Sequence, residues 1–183
     1  MNTPRLSGLA FAVFSLTLLC GGVAQGDEIY YSVKGSKQGQ FKTESLQKNT
    51  VGAAPVRMFQ YAIVSPRDTV TGQATGKRQH KPIVITKLWG ASSPQLYKAM
   101  VSNEILSEVI IDFYGTSARA GLRLSHSIKL TNANIAEISY KTEESSTKVL
   151  RQLETVSFVF QKIEYLDDTR TVTVTDDWSS PIN

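Results

Sequence analysis

From Asp27 onward, apolar residues recur at every second position, and no other feature limits the fold as strongly. Alternation of this kind places apolar side chains on one face of an extended strand. It predicts strands over 28–34, 57–64, 83–89, 109–114, 122–131, 135–141, 156–165 and 171–175. Over 57–64 the pattern sets Phe59, Tyr61 and Ile63 on one face. Over 156–165, Val156, Phe158 and Phe160 share one face, and Ser157, Val159, Gln161 and Ile163 the other. Two partly apolar faces predict a strand covered on both sides. One segment departs from the period of two. Ser93 is a natural N-cap, Pro94 suits the first helical position, and Leu96, Ala99 and Met100 lie along one helical face. The expectation is mainly β: a compact barrel of about eight strands with one short flanking α-helix. Residues 42–55 and the polar stretch 65–82 resist assignment, and a loop as long as the second is expected to be functional or an interaction arm rather than idle chain.

The first 26 residues are written differently. Arg5 is the one charged residue among them, so losing the segment lowers the net charge of +4 by one. An apolar run from Leu6 to Cys20 is followed by small residues, with Ala24 and Gly26 placed for cleavage before Asp27. This is the order of a secretory signal peptide, and the run is too short for a comfortable membrane span. A lipoprotein anchor at Cys20 would want a small residue where Leu19 stands. The expected organisation is a signal over 1–26 and a single domain over 27–183, secreted after cleavage. The cleaved chain contains no Cys, which leaves no thiol chemistry.

Candidate chemistry is sparse. Residues 72–78 have three residues between Gly72 and Gly76 and then Lys77-Arg78, where a phosphate-binding loop needs four residues and a Ser or Thr after the Lys. His80 and His126 are far apart in sequence, with no carboxylate at ligand spacing, and are expected as structural histidines. Asp167-Asp168 and Asp176-Asp177 point to opposite faces if extended, and are expected in turns or caps. No Gly-x-Ser-x-Gly elbow is present. The expectation is no catalytic residue, no cofactor and no metal. Basic residues cluster in the first half, at Lys34, Lys37, Lys42, Lys48 and around 77–81, but the aromatics fall at buried-strand positions. A solvated or inter-subunit surface is therefore expected rather than a nucleic-acid site.

Several segments together carry a resemblance. His80-Lys81-Pro82-Ile83-Val84-Ile85-Thr86-Lys87, Ser92-Ser93-Pro94-Gln95-Leu96, Ser127-Ile128-Lys129-Leu130-Thr131-Asn132-Ala133, Val156-Ser157-Phe158-Val159-Phe160-Gln161-Lys162-Ile163 and Asp176-Asp177-Trp178 resemble the haemolysin-coregulated protein (Hcp) family, from Glu28 to Trp178. The resemblance implies a β-barrel with a flanking helix that assembles as hexameric rings. Those rings would stack into the inner tube of the type VI secretion system and carry effectors in the lumen. The implied partners are other copies of the chain and, in such a machine, sheath, spike and effector proteins. By the same resemblance the loop over 65–82 would reach the next ring. Lys77, Arg78, His80 and Lys81 are then candidate stacking residues, facing acids such as Asp167, Asp168, Asp176 and Asp177. One departure stands out. Typical members lack a cleavable signal because the tube assembles in the cytoplasm. Either the signal is not used and assembly is cytoplasmic, or the alternative reading holds, an exported carrier or binding module of Hcp-like fold.

Overall fold

The computed structural model describes residues 27–43, 50, 52–117 and 121–178. The segment read as a signal, 1–26, and Lys48 lie outside these residues. The chain enters with β1 (Glu28–Gly35) and β2 (Gly39–Gln40), then β3 (Ala54–Val56) and β4 (Met58–Gln60). A small hairpin of β5 (Ile63–Val64) and β6 (Gln79–His80) precedes β7 (Ile83–Leu88) and the helix α1 (Ser93–Val101). Three long strands, β8 (Leu106–Ser117), β9 (Gly121–Glu144) and β10 (Leu150–Leu166), are followed by β11 (Val172–Asp177).

Nine strands form one sheet, ordered β2-β1-β8-β9-β10-β7-β4, with β3 on β1 and β11 on β10. The expected closed barrel is corrected here, because the hydrogen-bonded order is open. Its two sides approach through β3 and β4, which pair with β1 and β7 respectively. Arg57 stands between them, and its N–H donates to the Thr86 carbonyl (2.7 Å). The chain changes partners at that residue, so no continuous ladder runs around the sheet.

The core fills the concave side. Tyr31, Val33, Ile83, Ile85, Leu106, Val109, Ile111, Leu130, Val156 and Phe158 are buried in one cluster, as alternation in their strands requires. Leu96 and Ala99 add the helix to it, where α1 packs on β9. Ile163 joins the same core, whereas Val159 on its expected face is exposed. Within the single chain, then, the face of this strand that carries Val159 is open at that position. The change of side has a local cause in β9, where Asn132 adopts φ 51° and its amide donates to the Gln161 side chain (2.9 Å). A left-handed residue bends the strand without ending it, and Asn tolerates that conformation. For the same reason the two strands expected over 122–131 and 135–141 are one strand, β9.

Two further expectations change. Residues 57–64 are not one strand, since pairing with β7 stops at Gln60 and β5 turns to a different partner, β6. The helix cap is Ser92 rather than Ser93, which is fully buried and engaged elsewhere. At the other end of the helix the Glu104 N–H donates to the Ala99 carbonyl (2.8 Å), with Asn103 at φ 48°. The Glu104 carboxylate accepts the backbone N–H of Lys37 (2.7 Å) and of Gln38 (2.8 Å), and the Gln38 amide (2.8 Å). Burial works to raise its pKa, yet these bonds hold it below the ordinary carboxylate value. Gly35 makes room for it, since a Cβ there would run into Glu104 Oε1.

Candidate functional site

The stretch 65–82 is an ordered arm for most of its length. β5 and β6 pair Ile63 with His80 and Val64 with Gln79, and a further bridge joins Arg67 to Ala74. Its tip is closed by Asp68, whose Oδ1 accepts the N–H of Val70 (3.0 Å) and of Thr71 (2.7 Å) and the Thr71 hydroxyl (2.9 Å). Those bonds, the Thr71 N–H first, lower the Asp68 pKa. Gly72 takes φ 72°, which suits a residue without Cβ. Val70 stands at the tip, 90% exposed.

The base of the arm is fastened to the last strand. Arg78 grips Asp176 through Nε and Nη2, one on each carboxylate oxygen. His80 Nε2 lies 2.8 Å from Asp176 Oδ2, and its Nδ1 contacts the Tyr61 hydroxyl. The imidazole is nearly buried among Tyr61, Phe160 and Trp178, with ring centroids at 6.1, 5.5 and 5.4 Å. The Arg78 hydrogen bonds lead in bringing Asp176 down to about 2, so its carboxylate is ionised at neutral pH. Asp176 and the Tyr61 hydroxyl thus engage both ring nitrogens of His80. Burial pushes the Tyr61 phenol up, which keeps it a donor. Although Tyr61, His80 and Asp176 stand in the order of a relay, the packed rings and protonated phenol make the cluster a clamp on the arm.

The structure thus divides the four candidate stacking residues. Arg78 and His80 are engaged within the chain, on an acid that the sequence reading offered to a neighbour. Lys77 and Lys81 are exposed and make no ion pair among the described residues. Asp167 is a turn residue, accepting from Thr169 N–H (2.9 Å), Thr171 N–H (2.9 Å) and the Thr169 hydroxyl (2.6 Å). His126 stacks on Phe113 at 4.4 Å. Among the described residues no group of three or more His, Cys, Asp or Glu converges as for a metal. No described helix is long and apolar enough to cross a membrane.

A second ionic group escaped sequence reading. Lys87 Nζ lies 2.6 Å from Glu154 Oε2, with both side chains almost wholly buried. The Ser93 hydroxyl donates to Glu154 (2.7 Å) and lies 2.7 Å from Lys87 Nζ, which explains why Ser93 does not cap the helix. Its signal was a lone Lys inside the apolar run 83–89, since a charge at such a position is buried only with a partner.

Replacing Asp176 by Asn tests the clamp. A carboxylate held near 2 contributes stability above the unfolded value near 3.8 and loses it as pH falls through the folded one. Wild-type stability should therefore drop between about pH 4 and about pH 2, and Asp176→Asn should lack that part of the acid dependence. At neutral pH the variant should lose amide-exchange protection at Gln79 and His80, read by hydrogen-exchange NMR.

The fold is shared with solved structures. The Hcp1 protein from E. coli EAEC 042 pathovar superposes with a TM-score of 0.72 at 24% identity, covering 82% of this chain and 98% of that one. The secreted protein Hcp3 from Pseudomonas aeruginosa gives 0.65 at 29% identity, covering 84% and 99%. These define a mainly β, single-helix protein of the Hcp fold. A curated relative, the "Major exported protein" of Pseudomonas aeruginosa, is 32% identical over 165 residues, 84% of this chain and 96% of that protein. The family described as "Type VI secretion system effector, Hcp" matches residues 30–166, and the chain belongs to it. The family's description ties it to type VI secretion, and the Pseudomonas relative is named as exported.

Proposed function

We propose that the chain is the structural subunit of the type VI secretion inner tube, forming hexameric rings that stack and carry effectors in their lumen. Membership of the Hcp family supports this reading, and the anchored arm carries it. A two-stranded projection held at its base by Asp176 offers a preformed surface to the next ring, at a lower ordering cost than a free loop. Lys77 and Lys81 serve as its contact charges, while Arg78 and His80 fix its direction. Such a head-to-tail contact repeats without closing and so builds a filament. The tube reading requires ring assembly in the cytoplasm, with the segment over 1–26 not used for export before assembly. Cleavage before Asp27 and prior export belong to the alternative, an exported Hcp-like carrier or binding module over 27–183. The name of the Pseudomonas relative is in keeping with export.

Exposed ion pairs contribute about 0–1 kcal/mol each and weaken with salt, so stacking should be the salt-sensitive step. Lys77→Glu with Lys81→Glu should sediment as the wild-type ring and form no tubes in electron micrographs. Arg78 is left unchanged because its reversal would release the arm itself. Dissociation of the double variant to monomers would instead place the arm in the ring interface.

A further inference from the structure

Where the β9–β10 hairpin runs past the end of β7, a cavity of about 510 Å³ opens beside it. Its walls come from three parts of the chain. Arg57 lies between β3 and β4, Lys141 belongs to β9, and Arg151 belongs to β10. Register explains the convergence: Lys141 is opposite Leu153 and Arg151 opposite Glu143, positions of one parity that share a face of the hairpin. Leu88 is opposite Leu153 on the other side of β10, which brings β7 to the same face.

The charges here are unbalanced. Elsewhere the protein pairs Arg78, Lys87, Lys129, Lys162 and Arg170 with carboxylates. Arg57, Lys141 and Arg151 make no ion pair among the described residues. Glu143 is the single acid in the lining, although it stands directly across from Arg151. Arg57, Lys141 and Arg151 are solvent-exposed, so their mutual repulsion around the concavity is screened but not cancelled within a Debye length. Ser145, Ser146 and Thr147 add hydroxyls at the hairpin turn, and Met58, Leu88 and Leu153 add apolar surface. The volume falls within the roughly 300–1,000 Å³ of small-molecule sites.

We propose that this cavity binds a small anion bearing at least two negative charges as carboxylate or phosphate groups, held by Arg57, Lys141 and Arg151. The charge requirement follows from the lining itself: three cations against one carboxylate leave an excess that a monoanion does not neutralise. Two guanidinium groups supply planar, bidentate donors that match carboxylate and phosphate oxygens, and the lysine supplies a point charge. The arm contributes none of the cavity's residues.

Calorimetric titration of the full-length purified protein, at fixed ionic strength, tests it with pyrophosphate and citrate as separate probes. At least one should bind saturably at a single site, and the tighter of the two identifies phosphate or carboxylate as the natural group. Lys141→Gln and Arg151→Gln should each weaken binding at least tenfold, while Lys98→Gln on the helix should leave it unchanged. Glu143→Gln should tighten binding, a gain that damage to the fold would not produce. Because the probe binds only folded protein, it should raise the wild-type melting temperature and not that of Arg57→Gln/Lys141→Gln/Arg151→Gln. Absence of saturable heat with both probes would overturn the proposal, as would equal affinity in the triple variant. Binding of a hexaglutamate peptide with neither small anion would also overturn it, and would make the surface a protein contact.

Discussion

Lys87→Met should cost about 3–5 kcal/mol, read from the midpoint of chemical denaturation at neutral pH. The substitution keeps the length and apolar stem of the side chain but removes the ammonium 2.6 Å from Glu154. Glu154 is fully buried, so its carboxylate would be left without its countercharge in a medium that solvates it poorly. Against a total stability of roughly 5–15 kcal/mol for a domain, that loss brings the fold near its threshold. Lys87→Met/Glu154→Leu should recover most of it, because exchanging both members for apolar groups removes the desolvation cost along with the attraction. A double variant as unstable as the single would show that the pair is not coupled in this way.

Phe158→Ala should be comparably severe, at about 3–5 kcal/mol. Phe158 is fully buried in the central cluster between β7 and β9, paired with Ile83 and Ile135. Truncation removes both its transfer free energy and its contacts, and neighbours held in a sheet collapse only partly into the space. The neighbouring Val159→Ala should shift stability within about 0.5 kcal/mol, since its side chain is 41% exposed. Equal losses at the two positions would mean that the outer face of β10 is covered in solution.

That contrast marks where sequence reasoning succeeded and where it did not. The inward set Val156 and Phe158 was legible because burial and alternation agree over a short span. Ile163 was misplaced because a bend in a partner strand, at Asn132, shifts the side on which β10 presents its residues. Nothing in the alternation of β10 itself records the conformation of its neighbour. The open sheet was illegible for a similar reason: 54–60 is nearly continuous extended chain, and only its two partners reveal that it changes sides at Arg57. At the arm, length and polarity singled out 65–82, but its anchoring depends on Asp176, ninety-eight positions beyond Arg78. The partners of His80, Tyr61 and Asp176, come from separate parts of the chain that alternation cannot connect. Ser93, expected as the helix cap, is instead the first helical residue, its hydroxyl engaged by the Lys87–Glu154 pair.

The distance from Arg78 to Asp176 also sets a timetable for biosynthesis. At 5–20 residues per second, the ribosome needs roughly 5–20 s to reach the second residue after making the first. Throughout that interval the nascent arm has no fastening. A chain released before Asp176 would carry an arm held by its own β5–β6 pairing but without the fastening to the last strand.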